Sequence, residues 1–370
     1  MRDETSIRFL NDVRAFARED VAKAAAEWAR GSAVSREITM RAATIGLTRI
    51  EVPVEVGGLG LGFRAKAEAC AIIAAADFGL AMSRVNTHNV AKRIATTAPP
   101  DVAAKLLPEL LSGRVSACTA LTEPGAGSDA AAMRCMARRT QGGWLLEGEK
   151  TWIVNARHAG LSIVYAQCDQ PGQASGIAAF LVDLTGPDCE RHPIEAGFSQ
   201  SSTGTGGFRL FGCLVPDDHL LLPAGTAFKA ILEEINGARI YVAAMCCAMV
   251  SASLRRAQRY GEVRESFGKP LNQHPTWREP LAEAATRLAA AWALVETAIG
   301  AVEAGAEARH LAAAAKVNAV KLAQSELPTL LHAMGAEGLR ESEPFTRHIG
   351  AAQVAALTDG STAMLLDRLG

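Results

Sequence analysis

The sequence lacks an excess of charge of either sign, cysteines at metal spacing and an apolar run of bilayer length, and each absence removes a class of function. Its 38 Lys and Arg against 39 Asp and Glu leave a formal charge of −1. Nothing in that balance draws the chain to nucleic acid or to an anionic membrane surface. The eight cysteines, at 70, 118, 135, 168, 189, 213, 246 and 247, form no Cys-x-x-Cys pair and no His-Cys cluster at zinc spacing. Free thiols in a reducing compartment are expected, rather than metal ligands or disulfides. The opening Met1-Arg2-Asp3-Glu4-Thr5 is charged and has no apolar core, so no export signal is expected and the cytoplasm is the expected location. The longest apolar run, Ile240–Val250, is too short to span a bilayer. Internal repeats and low-complexity linkers are also missing.

What is present is length and a change of texture. A chain of 370 residues suffices for two or three domains and a large core. Apolar residues recur at helical spacing over Ser6–Ala29 (Ile7, Leu10, Val13, Phe16, Val21), and further helices are expected at Ser35–Leu47, Lys66–Ala76, Ala81–Ile94 and Val102–Ser112. After Arg114 short β-branched and apolar runs take over: Val115–Leu121, Gly143–Glu147, Lys150–Val154, Leu161–Gln167, Ile177–Asp183 and Gly207–Val215. Ser199–Gly207 between them reads as a flexible polar loop. Long Ala-rich helices follow over Thr226–Arg264, Pro280–Ala304, Ala308–Leu327 and Thr329–Met334, then short ones at Ala351–Leu357 and Thr362–Leu369. The expectation is a multi-domain α and β protein. It has an N-terminal α-helical domain (1–114), a middle β-sandwich or barrel domain (115–222) and a C-terminal four-helix-bundle-like domain (223–370).

One stretch concentrates turn chemistry and hydroxyls: Leu121-Thr122-Glu123-Pro124-Gly125-Ala126-Gly127-Ser128-Asp129. Pro presets a turn, and the glycines leave bare backbone N–H groups that a ligand can approach closely. Such a loop suits an anion or the polar edge of a flat ring, although turn chemistry alone also fits a plain surface turn.

The segment Ala120–Ala159 around that loop resembles the flavin-binding middle segment of the acyl-CoA dehydrogenase family, where TEPGAGSD is followed by a Gly-x-Lys-x-Trp-Ile strand. Arg264-Glu265-Ser266-Phe267-Gly268-Lys269-Pro270-Leu271 resembles the family's Arg-x-x-Phe-Gly-x-x-Leu, and Thr358-Asp359-Gly360-Ser361-Thr362 its Tyr-Glu-Gly-Thr-Ser. The turn from Gly46-Leu47 to Glu55-Val56-Gly57-Gly58-Leu59-Gly60 looks like that of the family's first domain.

The resemblance implies FAD as cofactor and α,β-dehydrogenation of an acyl thioester, carried on CoA or on an acyl carrier protein. A carboxylate takes the α-proton while the β-hydrogen leaves as hydride to the flavin, and the polarised thioester carbonyl makes the α-proton acidic enough to remove. On this reading Leu121, Thr122, Gly127, Ser128, Trp152, Val154, Arg264, Phe267, His332, Gly335 and Ser361 bind the cofactor, Arg264 and Phe267 reaching the FAD of a neighbouring subunit. Ser128, Arg239 and Gly360 face the substrate, and Asp359 is the base. A cofactor shared in this way requires a homodimer or homotetramer. The electron acceptor is not indicated. Read without the resemblance, Asp359 is an N-cap of the last helix, Trp152 is core and Arg264 is a solvated charge at a helix end.

Several positions depart from the family pattern. Asp359 replaces Glu and is shorter by one C–C bond, about 1.5 Å. Val154 replaces a Thr, Pro275 and His332 replace Gln, and Gly350-Ala351-Ala352-Gln353 replaces Arg-Asp-Ala-Lys. The family's other base position is Ala238 here. Two further readings stay open: a flavin-dependent oxygenase, and a non-catalytic acyl-carrier-binding or partner subunit.

Overall fold

The structure, a computed structural model, describes residues 4–169, 176–194 and 201–369. Met1–Asp3, Gly370 and the first two residues of the expected polar loop, Ser199 and Gln200, lie outside them. The order of elements is helical, then β, then helical, as the sequence texture requires. By contacts the chain forms two compact units.

The β-containing unit comprises Gly31–Gly62 and Met82–Glu234. Its strands are β1 (Ala117–Ala120), β2 (Met136–Thr140), β3 (Gly143–Ile153), β4 (Leu161–Asp169), β5 (Gly176–Asp183), β6 (Cys189–Pro193), β7 (Gly206–Pro216) and β8 (Leu220–Leu222). They form one sheet in the order β6-β7-β3-β2-β4-β5-β8, with β1 parallel to β4. Alternation puts Trp144, Leu146, Val164, Ala166, Phe180, Val182, Phe208 and Leu210 into one core. The runs expected as two strands, Gly143–Glu147 and Lys150–Val154, are the single strand β3, because pairing with β7 continues through a register shift after Leu146. Strands β2, β6 and β8 carry no long apolar run, and patterning missed them. In the expected loop Ser199–Gly207, Ser201–Thr203 is a 3₁₀ turn with Ser202 and Thr203 buried. Asn155 N–H donates to Thr203 O at 3.1 Å, so this part is packed rather than free.

The helical unit comprises residues up to Arg30, Phe63–Ala81 and Ile235 onward. Glu4–Phe16 (α1) and Ala22–Ala29 (α2) are joined by a π-helical stretch. Arg36–Thr44 (α3) and Pro100–Leu111 (α6) belong to the other unit, Phe63–Ala74 (α4) to this one, and Phe78–Thr97 (α5) runs through both. The bundle helices are α7 (Ala227–Val263), α8 (Pro275–Glu303), α9 (Arg309–Met334), α10 (Phe345–Leu357) and α11 (Thr362–Leu369). Helices α8, α10 and α11 all pack on α9. Pro328 does not break α9, since Leu327 and Leu330 on either side are fully buried and the lost N–H bond is outweighed. Helices α7 and α8 are long and apolar enough to cross a membrane by length and composition. The apolar window of α7 is 83% buried inside the protein, and that of α8 only 28%. No disulfide joins any of the eight cysteines.

Candidate active site

In the β-containing unit the TEPGAGSD loop is shaped by a buried ion pair that the turn residues alone do not reveal. Glu123 and Lys150 are shielded from solvent and meet at 2.8 Å. The Glu123 carboxylate also accepts the backbone N–H of Arg134 at 2.6 Å and of Cys135 at 3.0 Å. Lys150 Nζ donates to Leu121 O at 3.0 Å, and Thr151 N–H to Thr122 O at 3.1 Å. These bonds tie the loop to β3 and satisfy both buried charges. Leu121 and Thr122 are half-buried, whereas Gly127 and Ser128 face solvent. A Cβ built on Gly125 or Gly127 meets nothing within 4 Å, and neither residue has the positive φ that favours glycine. Nothing inside the fold requires these two glycines. They leave the loop backbone bare to close approach from outside.

Trp152 is not core. It is 59% exposed and held at φ 56°, in the left-handed region that a bulky side chain avoids. The strain is held by the turn that follows. Asn155, also left-handed at φ 67°, is fully buried, and its Nδ2 donates to Ser83 O (2.9 Å), Ala117 O (2.8 Å) and Thr87 Oγ1 (3.2 Å). A strained, exposed indole beside an over-determined turn makes this surface a candidate for function. Val154 is half-buried in that turn.

The helical unit carries the other residues, at its two ends. At one end the loop Thr358–Ser361 joins α10 to α11. Asp359 and Gly360 are left-handed, at φ 54° and 99°. Arg239 of α7, 5% exposed, donates from Nε to Asp359 O at 3.0 Å and from Nη1 to Asn236 Oδ1 at 2.7 Å. Lys316 of α9, fully buried, donates from Nζ to Thr358 O and Gly360 O. The cap of α11 is Ser361, whose Oγ accepts Met364 N–H at 3.3 Å, so Asp359 has no capping role. Its Oδ2 is shut away from solvent without a hydrogen-bond partner. Burial pushes the Asp359 carboxyl above its ordinary range, against the opposing pull of Lys316 and Arg239. Burial also lowers the Lys316 ammonium, to about 8.

At the other end Arg264 precedes a two-residue hairpin turn whose Phe267 (φ 49°) is 96% exposed. The Trp277 ring lies against Gly261, and its Nε1 donates to Ala333 O at 2.9 Å. That contact gathers the end of α7, the start of α8 and the end of α9, and with them Arg264, Phe267, His332 and Gly335, all exposed. Arg239, in the first half of α7, and Arg264, just past its C-terminal end, are roughly 37 Å apart at 1.5 Å per residue. The Thr358–Ser361 loop and the Arg264 turn are therefore well separated within one chain.

Lys316 was not among the residues singled out from the sequence. Its signal was its position in the run Ala312–Val320, a lone cation with Ala312, Ala319 and Val320 buried on the same helix face. Among the described residues no cluster of His, Cys, Asp and Glu suits a metal ion. The loop glycines without an internal reason and the strained Trp152 lie in the β-containing unit, and the orphaned Asp359 oxygen lies in the helical one.

Three family models cover almost the whole chain: acyl-CoA dehydrogenase N-terminal domain over residues 3–114, middle domain over 118–213 and C-terminal domain over 225–370. The human short-chain specific acyl-CoA dehydrogenase, a mitochondrial protein, is 29% identical over 361 residues, 97% of this chain and 87% of that protein. The acryloyl-CoA reductase (NADH) of Anaerotignum propionicum is 29% identical over 94% of this chain and 89% of its own. Among solved structures, butyryl-CoA dehydrogenase from Megasphaera elsdenii superposes with a TM-score of 0.92 at 25% identity, covering 100% of this chain and 98% of that one. The chain belongs to the acyl-CoA dehydrogenase family, the FAD-dependent oxidoreductases that act on CH–CH bonds.

Proposed function

We propose that this protein dehydrogenates an acyl thioester at its α,β bond, with Asp359 as the base that removes the α-proton. The observation that carries this reading is the Asp359 carboxylate: half-buried, its Oδ2 shut away from solvent without a hydrogen-bond partner, and raised above the usual carboxylate range. A carboxylate in that state is a stronger base than a solvated one and has a free lone pair for a proton. Thr122, Ser128 and Trp152, with the bare backbone at Gly127, would hold FAD on the β-containing unit. Ser361 contributes at the base end, and Arg264, Phe267, His332 and Gly335 at the far end. When bound, FAD supplies the two-electron acceptor. The chain's own part is to bind the thioester at Ser128, Arg239 and Gly360, to exclude water from Asp359, and to take the proton at its carboxylate.

The roughly 37 Å between Arg239 and Arg264 along α7 supports a site completed by a second copy, whose Arg264 end meets this chain's cofactor. Exposed Phe267 and the sparsely covered apolar window of α8 are the surfaces for that contact. A cytoplasmic homodimer or homotetramer, with the acyl group on CoA or a carrier protein, is the fuller proposal. The test is anaerobic bleaching of the bound flavin band by candidate thioesters. Bleaching by wild type and not by Asp359→Asn supports the reading, and equal bleaching by both overturns it.

A further inference from the structure

Three successive carbonyls of the base loop are each taken by a cationic side chain: Thr358 O and Gly360 O by Lys316, and Asp359 O by Arg239. Asp has one rotatable bond fewer than Glu, so its carboxylate is placed more by the backbone than by its own side chain. We infer that Lys316 is a positioning residue for the base, holding the Thr358–Gly360 backbone so that Asp359 presents its carboxylate, and supplying the cation that keeps this buried carboxylate ionised. The inference rests on Asp359 being the base.

The charges around Lys316 agree with that role. Asp359 on the loop and Arg239 and Cys246 on α7 act on it, and Arg368 on α11 acts on Arg239. The Cys246 thiol, raised by burial to about 12, is neutral near pH 7, which leaves Asp359 as the anion among them. Lys316 is fully buried and spends its hydrogen bonds on neutral carbonyls rather than on a carboxylate oxygen. A lysine that served stability alone would be replaceable by an apolar side chain without any effect on Asp359.

The test compares Lys316→Met, Lys316→Gln and Lys316→Arg holoenzymes with wild type, with Asp359→Asn as the blank. Three quantities are read: the flavin retained, the rate of anaerobic flavin bleaching against pH and thioester concentration, and the titration midpoint of the Asp359 carboxyl by infrared difference, which needs no turnover. The expected result for the neutral variants is retained flavin, a bleaching rate lower by on the order of 10² with little change in the half-saturating thioester concentration, and an acid limb and infrared midpoint raised by about one pH unit or more. Lys316→Arg should restore the limb and midpoint. An unmoved limb and midpoint in Lys316→Met or Lys316→Gln, or a rate lost only in proportion to lost flavin, overturns the inference. So does failure of both neutral variants to fold, which would make Lys316 a folding residue. An active Asp359→Asn instead ends the base reading itself, whatever Lys316 does.

Discussion

Two loops, one in each compact unit, are held by different means. The TEPGAGSD loop of the β-containing unit is fixed by a buried ion pair, Glu123 with Lys150, whose members also satisfy backbone groups. The base loop of the helical unit is fixed by cations on carbonyls and carries an unpaired carboxylate oxygen. In the first, the buried charges neutralise one another and the reactive surface is left to neutral groups. In the second, one carboxylate oxygen is left unsatisfied, and it belongs to the residue proposed as the base. Binding sites tolerate satisfied charge, whereas a base needs charge held short of satisfaction.

The largest break in that comparison comes from Asp359→Asn. It should keep flavin and lose 10²–10⁴-fold or more in substrate bleaching, measured in anaerobic single turnovers. Acidification does the same reversibly. In its proposed role Asp359 acts deprotonated, and its pKa is raised, so activity present at higher pH should fall tenfold per unit below that raised value, above the ordinary carboxylate range. The rate–pH profile checks it. The stability sign is opposite: the same raised pKa means this group favours the fold at low pH and that contribution is lost as pH rises through it. Breaking the other loop works through the fold. Glu123→Gln leaves the Lys150 charge buried and unpaired and should cost about 3–5 kcal/mol in denaturant unfolding, with Lys150→Met added to it recovering part of the loss. The smallest effect is the most discriminating. Trp152→Gly releases the left-handed strain and should raise stability by about 1 kcal/mol, while weakening flavin retention after desalting.

The fold was largely legible because its signals are periodic: long Ala-rich helices and alternating strands whose apolar residues became the cores. Short polar strands such as β2 and β6 were not, since their pairing is decided by neighbours distant in sequence. The resemblance pointed to Asp359 and Trp152, but the residues alone placed Trp152 in the core and made Asp359 a cap. Only tertiary structure shows that Trp152 is outside and that Ser361 does the capping. Lys316 stayed hidden for a related reason. A lysine in a helix reads as a solvated charge until the helix face it occupies is known.

The left-handed backbone at Asp359 also bears on how this site could change over generations. Asp and Asn tolerate that conformation better than most residues, and Glu gains no such local support. Lengthening Asp359 to Glu would add about 1.5 Å of reach but place a less tolerant residue at φ 54°, at an expected backbone cost of about 1 kcal/mol. The shorter acid and its unusual backbone thus stand as a matched pair. A lineage carrying both would be slow to exchange either one alone.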